Sequence, residues 1–200
     1  MKKKVFLFIL IIVLLYAGGG VTYILLNKKP KPVEVSDLDK ISGYNYTLKS
    51  NATELYKNEF NKLKQNLESA TIDDKEYALS VAKLFIIDLY TLDNKTNKYD
   101  VGGSMFVHPD YVANYKLNVQ DTLYKYLEDN SSKQRNQKLP EVSSIEVTLS
   151  EEIMFKVNEE EYPAYNILLE WDYKEDLGYD KEGEVDVVKV DKYYYVVEKN

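Results

Sequence analysis

The chain has 200 residues, no cysteine, one histidine, 19 tyrosines and a formal charge of −7. That length suits one domain besides a terminal segment; the missing cysteines exclude disulfides and a thiol nucleophile, and a lone histidine excludes any site needing two imidazole ligands. The charge is unevenly placed: beyond Lys31 stand 20 basic and 33 acidic residues, a formal −13, which argues against nucleic acid and against lying flat on anionic lipid.

Val5 to Leu26 is an almost unbroken apolar run between Lys2, Lys3, Lys4 and Lys28, Lys29. At about 1.5 Å per residue a helix of that length reaches roughly 33 Å, enough for a hydrocarbon core of about 30 Å. An N-terminal transmembrane helix is expected, retained as an anchor. Leu15-Tyr16-Ala17 is a poor cleavage site, and a cut there leaves another apolar stretch, Val21 to Leu26. Lys28, Lys29 and Lys31 nearly balance the lysines on the other flank, so orientation rests on the short tail Met1–Lys4. That is the layout of a signal anchor in the cell membrane, single-pass, with the N-terminus inside and the C-terminal domain outside. Abundant Lys, Asn, Tyr and Ile match the usage of an AT-rich bacterial genome. The expected organisation is residues 1–27 as tail and transmembrane helix, 28–43 as a linker containing Pro30 and Pro32, and 44–200 as an extracytoplasmic domain. Its expected partners are membrane lipid, through the helix, and a protein, through the domain.

Gly43 to Leu48 alternates apolar and polar residues, as in a short strand. Asn51 followed by Glu54 resembles a helix cap, and Tyr56, Phe60, Leu63 and Leu67 recur at helical spacing. Thr71 with Asp74 repeats the start signal ahead of Tyr77 to Leu92, a central helix apolar nearly all round except at Ser80, Lys83 and Asp88. Asp93 to Phe106, with Gly102-Gly103, reads as a loop or small hairpin. His108-Pro109-Asp110 opens a helical region through Tyr111, Tyr115, Val119, Leu123 and Leu127, in which Asn118 is a candidate cap of a second segment. Asn130 to Lys138 is a polar connection.

Beyond Pro140 the period changes to two. Ile145, Val147 and Leu149 alternate with polar residues, Ile153, Phe155 and Val157 follow, and Tyr165, Ile167, Leu169, Trp171 and Tyr173 form one face of a long strand. Gly178 and Gly183 bound a polar turn, and a final hairpin closes at Asp191-Lys192. Helices first and strands afterwards predict an α+β domain, its helices packed on one face of a curved antiparallel sheet, cone-like in shape.

The order helix, helix, irregular hairpin, helix and successive long strands resembles the cone-shaped nuclear transport factor 2-like superfamily. The closing segment YNILLEWDYKEDLGYDKEGEVDVVKVDKYYYVVEKN carries most of the likeness: Trp171-Asp172-Tyr173 ending a long strand, a glycine turn, and the last strand Tyr193 to Glu198. The resemblance covers roughly Leu48 to Asn200 and implies the cone fold, which hosts enzymes, binding modules and assembly factors alike. One branch, the inner-membrane assembly components of type IV secretion and conjugation machines, combines a single N-terminal span with an exported domain of this fold. The resemblance carries over no functional residue.

Candidate ligand-binding residues are His108, Asp110 and Tyr111, as acid, base or contact groups at the mouth of the cone, and Asp88, whose pKa an apolar site would raise. Their plainer roles are a helix start for His108 and Asp110 and internal pairing for Asp88. Tyr44 and Tyr99 are further pocket candidates among the many tyrosines. Glu159-Glu160-Glu161 and the acidic stretch Asp172 to Asp186 lack the ligand spacing of a calcium loop. There is no phosphate-binding glycine loop and no nucleophile elbow, so neither cofactor nor catalytic residue is expected. The expected function is a membrane-anchored extracytoplasmic binding or assembly module without catalysis. The alternatives are a small-ligand binder or enzyme using the cone interior, and a component of a secretion or conjugation machine.

Overall fold

The computed structural model describes residues 37–200, with side chains from Lys40 onward. The expected membrane helix, Val5 to Leu26, lies outside the described residues; among these, no helix is long and apolar enough to cross a membrane. Strand β1 (Asp37–Lys40) pairs antiparallel with β2 (Thr47–Lys49). Regular structure thus begins inside the stretch expected to be linker. The physical reason is Ile41, which is buried in the main core and donates its N–H to Tyr46 O at 3.2 Å, drawing the preceding residues into pairing.

Helix α1 (Glu54–Leu67) is capped by Thr53, whose side chain accepts the Tyr56 N–H at 3.3 Å. Asn51, the expected cap, instead donates Nδ2 to Asn94 O at 2.8 Å and ties the helix entry to the loop after the next helix. Tyr56, Phe60, Leu63 and Leu67 are buried along one face, as their spacing predicts. Helix α2 (Asp74–Tyr90) is capped by Asp73, which accepts the Glu76 N–H at 3.0 Å. Asp73 takes the place expected for Thr71 because an extended residue immediately before the first turn aims its carboxylate at the free N–H groups and the positive end of the helix. The α2 helix is buried nearly all round.

Helix α3 (Val112–Asp121) has no side-chain cap, and Val119 is its one buried residue. Asn118 does not start a second helical segment. Instead, the Thr122 hydroxyl donates to Asn118 O at 2.7 Å, competing for a terminal carbonyl as the chain leaves the helix for turns. The segment from Asp93 to Phe106 is a turn-rich loop without a strand.

The main sheet has the order β3 (Val142–Val157), β4 (Glu160–Tyr173), β5 (Glu182–Val190), β6 (Tyr193–Lys199), antiparallel throughout. The two apolar runs of its first part belong to the single strand β3. A register shift between Val147 and Leu149 sets Val147 opposite Leu169 but Leu149 opposite Leu168, so later residues change face. Ile167, Leu169 and Trp171 of β4 join Val185, Val187 and Val196 in the core shared with α1 and α2. A smaller cluster centres on Val157, Ala164 and Val188. The domain is therefore α+β, with three helices packed on a four-stranded antiparallel sheet.

Candidate functional site

Asp88 points into the molecule and is matched there. Lys95 Nζ lies 2.5 Å from its Oδ1, and the Gly103 N–H donates to its Oδ2 at 2.7 Å. Lys95 also donates to Asn94 Oδ1 at 2.9 Å and is itself 2% exposed. Burial by itself pushes the Asp88 pKa up, but the charges of Lys95 and Lys49 and the bonds from Lys95 and Gly103 outweigh it and hold the carboxyl down at about 2. Free space beside it, bounded by Lys49, Asn51, Tyr56 and Thr91, is about 10 Å³, room for at most one water. Asp88 is a structural anion that fastens the Asp93–Phe106 loop to α2.

That loop approaches closely because of its glycines. A Cβ on Gly102 would lie 1.9 Å from Asp88 O. Tyr124 and Tyr115 complete the strapping: Tyr124 Oη donates to Leu89 O at 2.7 Å, and Tyr115 Oη to Gly102 O at 2.6 Å. Burial, chiefly, raises the pKa of both phenols, so they stay protonated as donors.

His108, Asp110 and Tyr111 do come together, at the start of α3. Phe106 to His108 runs along the outer edge of β6: the Val196 N–H donates to Phe106 O at 2.8 Å and the His108 N–H to Val196 O at 3.0 Å. The His108 ring is buried between Tyr111 and Tyr195, with centroids 5.4 and 5.5 Å away, and its Nδ1 accepts the Asp110 N–H at 3.3 Å. Asp110 accepts Asn158 Nδ2 at 2.8 Å, joining the β3–β4 turn to this corner. Both residues thus serve local architecture. Asp88 stands apart from them, and of the four predicted residues Tyr111 alone lines an open space of ligand size.

That space is a groove of about 650 Å³ between α3, the C-terminal half of α2 and the end of β6. It exists because α3 buries so little and is propped by Tyr115, whose ring lies 5.7 Å from that of Phe85. Phe85, Leu89 and Val119 give it an apolar lining. Along one wall Asn114, Asn118 and Thr122 stand at i, i+4 and i+8 on and just past α3, one stripe of the helix. Among the described residues, neither asparagine carboxamide has a hydrogen-bond partner. The opposite wall is the end of β6. There Asn200 and Glu184 exchange both backbone bonds, at 2.9 and 3.0 Å, so the adjacent Lys199 turns its N–H and C=O away from β5 to the outer edge.

One end of the groove is charged. Tyr90 Oη donates to Asp180 Oδ2 at 3.1 Å, and Lys199 Nζ lies 5.5 Å from the Tyr90 ring centroid and 3.9 Å from Asp180 Oδ2. Tyr173 fixes the Asp180 backbone by donating to its carbonyl at 2.6 Å. Burial first, and then the Asp180 charge, raises the Tyr90 pKa. Asn114, Tyr90, Asp180 and Lys199 escaped the sequence reading; the polar stripe Asn114-Asn118-Thr122 beside Tyr115 and Val119 was its one available signal.

Elsewhere, Asn166 Nδ2 donates to Glu184 at 2.6 Å and to Asp186 at 2.8 Å. Burial raises the Asp186 pKa against that bond. Among the described residues no group of three or more His, Asp or Glu is placed to hold a metal ion. Comparison with known protein families, characterised proteins and solved structures finds no match.

Proposed function

We propose that the chain is a membrane-anchored, extracytoplasmic binding or assembly module without catalysis, which takes a protein partner in the groove between α3 and β6. The anchor is the apolar run Val5 to Leu26, and the groove belongs to a cone-like domain of the kind that the nuclear transport factor 2-like resemblance implies. One observation carries the reading. The buried Asp88 and Lys95 satisfy each other, whereas the groove is lined by the unbonded carboxamides of Asn114 and Asn118 and by Lys199, whose backbone groups turn away from β5. Groups of that kind recognise a partner and do not move protons or attack bonds.

Capture from intact membranes tests the proposal. The full-length chain should recover a specific partner, and Asn118→Trp, which fills the groove from its exposed wall, should lose it. Equal recovery by the variant, or turnover of a small molecule by the wild type, would overturn the reading. A small-ligand site is the second reading, favoured by the volume of the groove, which lies in the usual range of roughly 300–1,000 Å³. In that case an apolar fluorophore partitions into the wild-type groove and Asn118→Trp excludes it, with no protein recovered by either form.

A further inference from the structure

We propose that the occupant of this groove is an extended peptide segment with alternating apolar and basic side chains, one basic group of which enters the charged end at Tyr90 and Asp180. The inference rests on the groove as the binding site and adds the chemistry of what binds there.

The charged end already holds an ammonium. Lys199 Nζ sits over the Tyr90 ring and beside the Asp180 carboxylate, at 5.5 and 3.9 Å, the face-and-carboxylate arrangement that suits a cation. Among the described residues Lys199 is the one cation in the groove lining, against Asp180 and Glu198, and the chain beyond Lys31 carries a formal −13. A basic segment is therefore complementary to the end of the groove and to the field around it. Lys199, with its side chain 26% exposed, is a tethered occupant that an incoming cation displaces into solvent.

An extended backbone suits the walls. Residues four apart on a helix rise about 6 Å, close to the roughly 6.8 Å between alternate residues of a strand. Asn114, Asn118 and Thr122 thus match every second residue of an extended chain, and Asn carboxamides can both donate to and accept from its peptide groups. On the other wall the outward N–H and C=O of Lys199 offer one step of strand addition, the mode by which exposed sheet edges take up peptides. Apolar side chains of the same segment fit the Phe85, Leu89 and Val119 lining. A helical or acidic segment meets neither the spacing nor the charge.

The test uses the full-length chain in phosphatidylcholine nanodiscs and fluorescence anisotropy of labelled acetyl-Val-Lys-Val-Lys-Val-Lys-Val amide. The expected result is saturable binding, weakened about tenfold by Asp180→Asn and tightened at least threefold by Lys199→Ala. Glu170→Gln and Lys156→Ala, equal charge changes on the strands away from the groove, should shift affinity less than twofold. Equal weakening by Glu170→Gln would reduce the effect to general charge attraction and overturn the proposal, as would Lys199→Ala leaving affinity unchanged. Should the same peptide with Ser in place of Lys bind as tightly and be excluded by Asn118→Trp, the basic specificity is overturned while the groove stands. Indifference of every peptide to Asn118→Trp would remove the groove itself.

Discussion

Asp88 lies in the last turn of a helix that is buried nearly all round, where a carboxylate persists only with partners. Its own position is legible in the sequence as a charge inside an apolar run, but its partner is not, because Lys95 lies past the helix end in a loop with no period of its own. Removing the partner should cost more than removing the pair. Lys95→Met is expected to lose about 3–5 kcal/mol in urea unfolding, with Asp88→Leu/Lys95→Met recovering most of it; equal losses in both would show that Asp88 does not depend on Lys95. The same pair sets an acid limb. The folded pKa of about 2 lies below the ordinary carboxylate value, so the contribution is complete above about pH 4 and disappears as the pH falls through 2. That amounts to about 2–3 kcal/mol, and an Asp88→Asn variant should show a correspondingly flatter stability profile between about pH 4 and 2. The neighbouring glycine is as constrained: with Asp88 O 1.9 Å from where its Cβ would stand, Gly102→Ala should lower stability by about 1–3 kcal/mol. Of the chemically reactive types the sequence singles out, His108, Asp110 and Asp88 are each engaged by neighbours, and only Tyr111 borders the groove. Reactivity of a residue type says nothing about which gaps the packing leaves.

At the scale of elements, period was the reliable signal. The helical spacing of Tyr56, Phe60, Leu63 and Leu67 and the alternation from Tyr165 to Tyr173 each become the face they predict, because burial of one face is what selects the element. Ends were less legible: Thr53 and Asp73 cap where Asn51 and Thr71 were expected, and the phase change in β3 comes from a bulge that no residue type announces. The groove could not be read at all, since it arises between α2, α3 and β6, far apart in sequence. The β3–β4 turn is a place to test the backbone. Asn158 and Glu159 both have left-handed φ, 48° and 73°, as the tight turn between twisted strands requires. Asparagine tolerates this and glutamate does not, so Glu159→Gly should raise stability by about 0.5–1 kcal/mol in urea unfolding. A loss would show that the Glu159 side chain contributes more than its backbone strain. The exposed sheet face is strained electrically too. Glu170 stands opposite Glu146 on one side and Glu182 on the other, and like charges directly opposite repel. Along the open edge, the charges of Glu146, Glu151, Glu152 and Lys156 and the β3 bulge are devices that keep strands of other molecules from pairing there.

For the whole molecule the excess of acid decides how these parts behave together. The sequence beyond Lys31 carries a formal −13, a field that repels anionic surfaces and favours a partner of opposite charge. The same excess acts against the folded state, which brings the carboxylates of Glu146, Glu170 and Glu182 nearer to one another than an unfolded chain does. The surface ion pairs are poor compensation, because pairs such as Lys138–Glu175 and Lys181–Asp176 are exposed and such pairs contribute at most about 1 kcal/mol each. Salt should therefore stabilise this domain. Raising sodium chloride from about 0.01 M to about 0.1 M shortens the screening length from about 30 Å to about 10 Å, which weakens the many long-range repulsions while leaving the buried Asp88–Lys95 pair nearly untouched. The expected outcome is a higher urea midpoint at the higher salt. Glu170→Lys converts the repulsive row into two attractive cross-strand contacts, so it should raise the midpoint at low salt and reduce the salt increment. A midpoint that falls with salt would mean that the surface ion pairs outweigh the repulsion. The cationic preference inferred for the groove would then lack the long-range field that is expected to speed its encounter.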